Sequence, residues 1–398
     1  MKMGAMLTLE EAQARMLALA PQMPIEQVAA AEAVGRYLAE DLVALRTQPP
    51  ADLSAMDGYA LCGVGSWRIV GESRAGAPFD GNLMWGQCVR ISTGAHMPKW
   101  ADRVLIQEDA ELVLPDLVHT QENPARGRHV RKRGFDFCEG DVVLPAGTRI
   151  GPAQIALAIS AGHSQLPVRK APTVAVLDSG DELSADPRAC GDHQIPASNG
   201  AMIAAMLGGL GCVVQRIGPV PDDRDALAAA LAKAEAADIL VTTGGASVGD
   251  HDLIRPALDA WGAQLDFWKV AMKPGKPIMV ARRGSQVIFG LPGNPVSSFV
   301  TAFLFVLPLV RAAMGSGIPL PRKATLAAGC DLPPVGTRRE FLRAVWEGEG
   351  VKLADSQDSS ALAALAAANC LIDRPAGADG IEAGTSVPVY LLENGGIA

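Results

Sequence analysis

The sequence lacks the features that mark many common ligand chemistries. Its seven cysteines are scattered and odd in number (Cys62, Cys88, Cys138, Cys190, Cys212, Cys330 and Cys370), and no Cys-x-x-Cys pair occurs. That argues against a zinc ribbon or a disulfide framework and fits reduced thiols in a cytoplasmic protein. The six histidines are equally dispersed, with no His-Glu-x-x-His. Basic residues are in deficit: the net charge is -8 and the pI is near 5.3. A general nucleic-acid binder carries the opposite balance, so no nucleic-acid partner is expected. No membrane partner is expected either, because a bilayer span takes ~20 apolar residues. The most apolar segment, Phe299 to Val310, is shorter and contains Pro308, so it reads as a buried helix. The N-terminal MKMGAMLTLEEAQARM turns charged before a signal-peptide core can build.

What is present is a globular composition, 49% hydrophobic and 20% charged over 398 residues. At ~100–200 residues per domain that is too much chain for one core. Thr8-Leu-Glu-Glu11 is a capping-box pattern, and Leu9, Ala12, Met16 and Leu17 follow it at helical spacing. Pro24 opens a second helical pattern running to about Leu42, through Val28, Ala31, Val34 and Leu38. From Tyr59 to Val143 short β runs ("WRIV", "CVRI", "RVLIQED", "DVVL") alternate with Gly, Pro and Asn. Helical pattern returns at Pro152 to Ala161, which makes the helical region one domain interrupted by a β domain. From Pro172, "TVAVLD", "CVVQRI", "DILVTT", "PIMVA" and "QVIFG" alternate with helical stretches, the signature of a doubly wound, mostly parallel sheet. After Gly317 the pattern is β again. The expected domains are 1–46 with 147–171 (split, helical), 47–146 (inserted β), 172–317 (α/β) and 318–398 (C-terminal β).

Several motifs sit where such a sheet binds ligands, at the carboxyl ends of strands. "VTTGGASVGDHD" offers Gly244, Gly245 and Ser247 as an anion cradle, then Asp250 and Asp252 as cation handles. It is not a Walker loop, since Asp250 stands where a lysine is needed. The same residues also suit a strand-to-helix turn with a capping aspartate. "DSGDEL" brings Asp181 and Glu182, either hard ligands for Mg²⁺ or a plain acidic turn. "KVAMKPGKP" presents Lys269, Lys273 and Lys276 on a Pro-Gly turn, for an oxyanion or for solvent. In "GLPGNPVSS", Asn294 reads as a helix cap before Pro295, and the amides beyond it also suit an anion. In the β region, "LSAMDGYAL" carries the Asp57-Gly58 turn, "ISTGAHMP" exposes Thr93 at a bend, and "VRKRGFDF" clusters Arg131, Lys132 and Arg133 before Asp136.

Taken in order, "SAMDGYAL", "STGAHMP…ADRVLIQED", "VRKRGFDF", "SGDEL", "TTGGASVGDHD", "KVAMKPGKP" and "GLPGNPVSS" resemble one family across nearly the whole chain. It is the molybdopterin molybdenumtransferase family, of the MoeA and gephyrin E-domain type. The resemblance implies a split helical domain around an inserted β domain, a molybdopterin-binding α/β domain and a C-terminal β barrel. It implies a homodimer whose cleft joins the α/β domain of one subunit to the β domain of the other, with transient contacts to an adenylyltransferase and to apo-molybdoenzymes. The implied reaction is Mg²⁺-assisted insertion of molybdate into adenylylated molybdopterin, releasing AMP and molybdenum cofactor. The alternatives are a molybdopterin adenylyltransferase and a non-catalytic cofactor-binding scaffold. Carried over by position, Gly244, Gly245 and Ser247 would hold the pterin or its phosphate. Glu182 and Asp252 would support the metal, with Asp222 nearby. Asp57 and Thr93 would act across the dimer, flanked by Arg131 and Asp136. Lys269 and Lys273 would neutralise oxyanions, Pro292 and Pro295 would stiffen their loop, and Ser359 would line the molybdate site. The sequence departs from the family pattern at Ser179, which replaces Thr, at the bulky Trp100 and Arg103, and at Asp358, where Gly is frequent.

Overall fold

The computed structural model describes residues 6–244 and 253–392. The N-terminal helix Leu9–Leu17 carries the capping box, with Glu11 N–H donating to Thr8 Oγ1 at 3.2 Å and the Glu11 carboxylate receiving Thr8 N–H at 3.0 Å.

The second helical pattern does not become a helix. Ile25–Ala29 is a strand, paired antiparallel with Gln165–Arg169, and only Ala30–Glu32 makes a short 3₁₀ turn. Gly35 then takes φ +81°, a left-handed conformation that ends any helix. The apolar spacing had no single face behind it, because Leu38 and Leu42 are buried while Val34 is 58% exposed. The chain leaves this region through Leu42–Val43 and returns through Val142–Leu144, which pair with each other. The returning helix Pro152–Ser160 packs near Leu38, Leu42, Leu144 and Ile150.

Between exit and return lies a six-stranded sheet ordered Arg103–Ile106, Gly58–Cys62, Gln87–Ile91, Trp67–Ser73, Leu117–His119, Glu111–Leu114. Its alternation fills two sides. Tyr59, Leu61, Trp67 and Cys88 pack on one, and Ala60, Val89, Ile91 and Val104 on the other.

The α/β region is three-layered. Its sheet is ordered Val213–Val220, Thr173–Ser179, Ile239–Thr243, Gln286–Leu291, Met279–Arg283, Gln264–Trp268, and the first four strands run parallel. Val174, Val176, Ile239 and Val241 face one layer, and Ala175, Leu177, Leu240 and Ile288 face the other. Burial on both faces explains their unbroken apolar runs.

The apolar helix is longer than its sequence core suggested. It runs Pro295–Ala313, 19 residues, long and apolar enough by composition to cross a membrane, yet 89% of it is buried within the protein. A π turn spans Ala302–Val306 ahead of Pro308. Proline has no N–H to give the Leu304 carbonyl, and the side-chain amide of Gln13 supplies the donor instead, at 2.9 Å.

The C-terminal sheet curls as a half-barrel around Leu342, Ala344, Ile372, Val387 and Val389. Its open path begins at Met272–Lys273, lent by the α/β region, and ends at Lys323–Ala327.

Candidate active site

The four parallel strands deliver four of the predicted segments to one edge. Thr173–Ser179 leads to Glu182, Val213–Val220 to Asp222, Ile239–Thr243 to Gly244, and Gln286–Leu291 to Pro292 and Pro295. Short bonds lace these ends together. Gly180 N–H reaches the Val220 carbonyl at 3.0 Å, and Gly244 N–H reaches the Leu291 carbonyl at 3.1 Å. Asp222 N–H donates to Asp181 Oδ1 at 3.0 Å, and Asn199 Nδ2 to the Gly293 carbonyl at 2.7 Å. Gly244 adopts φ +101°, and a Cβ there would lie 3.2 Å from the Ser179 carbonyl oxygen. Gly245, Ser247, Asp250 and Asp252 lie outside the described residues.

The carboxylate of Glu182 is exposed and makes no hydrogen bond or ion pair among the described residues. Among the described residues no cluster of three metal-ligating side chains forms. A hard carboxylate oxygen at an open strand end, without a partner among the described residues, nevertheless fits Mg²⁺, which takes one or two carboxylates and completes its shell with water and phosphate oxygens.

Beneath this edge lies a residue that motif reading passed over. Asp178 is the penultimate residue of the strand Thr173–Ser179 and is 2% exposed. It accepts hydrogen bonds from Thr243 Oγ1 and from the Gly200 backbone, and Arg216 Nη2 stands 3.8 Å away. Burial pushes its carboxyl pKa up, against those partners. A Cβ at Gly200 would come within 2.1 Å of its carboxylate, so glycine lets the helix Asn199–Gly208 begin there. The sequence signal was an acid closing a fully apolar strand.

The Pro295 helix start differs from expectation. Asn294 occupies the cap position without a side-chain cap bond, and its amide nitrogen donates to Ser359 Oγ at 2.9 Å. Val296 N–H donates to the Ser359 carbonyl at 3.1 Å. Ser359 is thus seated against this helix start. The neighbouring Asp358 turns away and binds Ser360 N–H and Oγ at 2.8 and 2.6 Å, which lowers its pKa. The loop is held from below by Arg343, 1% exposed, whose Nη2 donates to the Ser356 and Asp358 carbonyls.

Of the lysines, Lys269 has φ +83° and lays its ammonium 4.5 Å from the Trp268 ring centroid, with Arg255 5.0 Å from the same ring. Lys273 is bonded to Glu340 at 3.0 Å. The turn after Lys273 packs so closely that a Cβ at Gly275 would lie 2.6 Å from Thr301 Cγ2.

A second group forms on the inserted sheet. Asp57 Oδ1 accepts the Thr93 N–H at 2.7 Å. Thr93 sits in the bend where Ala95 N–H returns to the Ser92 carbonyl. Leu53–Ser54 pairs with Val130–Arg131, which sets Arg131 opposite Leu53 on the strand that leads to Asp57. Asp52 accepts the Lys132 ammonium at 2.7 Å and the Arg133 backbone N–H at 2.9 Å, the Arg133 guanidinium donates to Thr47 Oγ1 at 3.4 Å, and Arg131 and Asp136 remain exposed. Arg103 is 7% exposed and bound to Asp102 and to the Pro124 carbonyl, a structural role. Trp100 stands 73% exposed at φ +71°. No hydrogen bond or ion pair among the described residues links the Asp57–Thr93 pair to Glu182, Asp222, Lys269 or Lys273.

Comparison with known proteins covers almost the full chain. Residues 7–162 match the profile described as MoeA N-terminal region (domain I and II). Residues 175–312 match a probable molybdopterin binding domain, and 325–392 the MoeA C-terminal region (domain IV). The chain is 32% identical over 397 residues to a molybdopterin molybdenumtransferase of Haemophilus influenzae, covering 96% of this chain and 98% of the relative. It is 34% identical over 387 residues to one from Staphylococcus aureus, covering 94% and 92%. In structure it is similar to the molybdopterin biosynthesis MoeA protein of Pyrococcus horikoshii, with TM-score 0.84, 26% identity, and 97% and 100% of the two chains covered.

Proposed function

The chain belongs to the MoeA family of molybdopterin molybdenumtransferases, which works in molybdenum-cofactor biosynthesis, and from that premise we propose that it inserts molybdate into adenylylated molybdopterin with release of AMP. The observation that supports this most is the shared edge of the four parallel strands, where Glu182, Asp222, Gly244 and Pro292 come together. A ligand with a pyrophosphate bridge needs amide donors, an oxygen-ligated cation and fixed positive charge; this edge offers the first two, and the positive charge would come from the Lys269–Lys273 segment.

Cleaving a phosphoanhydride develops negative charge on phosphate oxygens, and fixed cations aimed at that charge lower the barrier. Gly244, with Gly245 and Ser247, would cradle the phosphate or pterin. Lys269 and Lys273 would meet the oxyanions, molybdate included, while Ser359 would line the molybdate site at the start of the Pro295 helix. Pro292 and Pro295 would keep that loop from yielding. Mg²⁺ held by Glu182 and Asp252 would supply charge neutralisation at the phosphates. Asp57 and Thr93, flanked by Arg131 and Asp136, would complete the cleft across a homodimer. No side-chain nucleophile is needed. The proposed setting is the reducing cytoplasm, in keeping with seven free cysteines. The product would pass to apo-molybdoenzymes and the substrate would come from an adenylyltransferase.

The test is AMP release from adenylylated molybdopterin with Mg²⁺, with and without molybdate. Molybdate-dependent release is expected, falling roughly 10²–10³-fold in Glu182→Ala and in Asp57→Ala. Release that survives Glu182→Ala would remove this site while leaving the activity. Tight binding without release would favour a scaffold, and ATP consumption with non-adenylylated molybdopterin would favour an adenylyltransferase.

A further inference from the structure

Three neighbouring strands of the C-terminal sheet place Lys273, Glu340 and Arg374 in one cross-strand row. Lys273 is registered opposite Glu340 in the parallel pair, and Glu340 opposite Arg374 in the antiparallel pair. Residues opposed in this way project from the same face, close enough for side chains to meet. The charges read plus, minus, plus, and the ends differ in depth. Lys273 has a side chain 55% exposed, Glu340 one of 15%, and Arg374 is 1% exposed overall.

The buried end is under-partnered. Arg374 Nη2 donates to the Asp379 carbonyl, but Nε and Nη1 have no hydrogen-bond partner among the described residues. Burial pushes this guanidinium's pKa down, and the charge of Glu340 opposes the shift. A buried cation with two idle donors attracts any carboxylate within reach. Glu340 is opposite it, yet its Oε1 is spent on Lys273 at 3.0 Å. While that bond stands, Lys273 is a poor receiver for an anion.

We propose that Glu340 is a two-position carboxylate that gates Lys273. Without an anion it clamps the ammonium. When an oxyanion takes Lys273, Glu340 swings onto Nε and Nη1 of Arg374. Glu340 and Arg374 are positioning residues here, and neither touches substrate. The exchange rests on the reading above that Lys273 meets an oxyanion; the clamp itself does not.

Two measurements on the full-length protein separate these parts. The first is acetylation of Lys273 by acetic anhydride, read by peptide mass spectrometry without ligand, with the exposed Lys99 as internal standard. Glu340→Gln should raise labelling of Lys273 several-fold, and Arg374→Leu should not raise it. Labelling of Glu340→Gln equal to wild type overturns the clamp. The second is calorimetric titration with molybdate. Arg374→Leu should weaken binding roughly tenfold, the scale of one charged hydrogen bond. Glu340→Gln should bind at least as tightly as wild type, and in its background Arg374→Leu should change nothing further. Equal weakening in both backgrounds, or none in either, overturns the exchange. Arg374→Lys, which keeps the charge but loses the fork, should repeat the loss should the leucine variant fold poorly. A clamp seen by labelling alongside molybdate that neither binds nor protects Lys273 would bring down the oxyanion reading of Lys273 and the exchange together. AMP release reports on the activity independently of both.

Discussion

A methyl group at position 58 would sit 2.0 Å from the Leu105 carbonyl oxygen and 2.9 Å from Ile106 Cα. Both are backbone of the neighbouring strand and cannot turn aside. Gly58→Ala should therefore cost about 2–4 kcal/mol, measured by denaturant unfolding, and should loosen the Asp57–Thr93 contact beside it. Asp178 gives a prediction in pH. Its folded carboxyl titrates above the ordinary aspartate value because of burial. The native state then holds a proton that the unfolded state has already released, so stability falls as pH rises from ~3.9 through the raised folded value. Asp178→Asn, nearly isosteric, should match wild type at the acid end and become the more stable protein above that window. Melting temperatures of the two across the acid to neutral range decide it; curves that stay parallel would mean that the carboxyl does not titrate there.

Pro308 leaves the Leu304 carbonyl in need of a donor, and Gln13, on another helix, provides it. Gln13→Ala should strand a buried acceptor at a cost of about 1–3 kcal/mol and speed hydrogen exchange around the π turn. This exchange shows which elements the sequence made legible. The helix Leu9–Leu17 was readable because Thr8 and Glu11 settle its start locally. The central α/β strands Thr173–Ser179, Ile239–Thr243 and Gln286–Leu291 were readable because both faces are buried and their apolar runs are almost unbroken. Residues 24–42 misled because Ile25–Ala29 finds its partner at Gln165–Arg169, and no local pattern carries a distant strand. The site divides in the same way. Asp57 with Thr93 and the strand-end motifs were visible as residue types at turns. Asp178, and the row of Lys273, Glu340 and Arg374, depend on register between strands far apart in sequence, and the bond of Asn294 to Ser359 joins segments equally far apart.

At the scale of the whole molecule, the proposed site residues fall into two groups that no hydrogen bond or ion pair among the described residues joins. A cleft shared across a twofold dimer would unite them. Mixing inactive Asp57→Ala and Glu182→Ala proteins, after subunit exchange, should then restore AMP release. In a heterodimer one cleft carries both changes and the other neither, so with random pairing about a quarter of all clefts are intact. No restoration, with exchange confirmed by mass, would place both groups in one chain's own site. The path of the chain also sets an order in time. Gln13 waits for Leu304, 291 residues later, a delay on the order of 15–60 s at ribosomal speed. The helix Leu9–Leu17 is thus made well before the segment that seats it, so through that interval the apolar face of Leu9, Ala12 and Met16 is available to a holding chaperone.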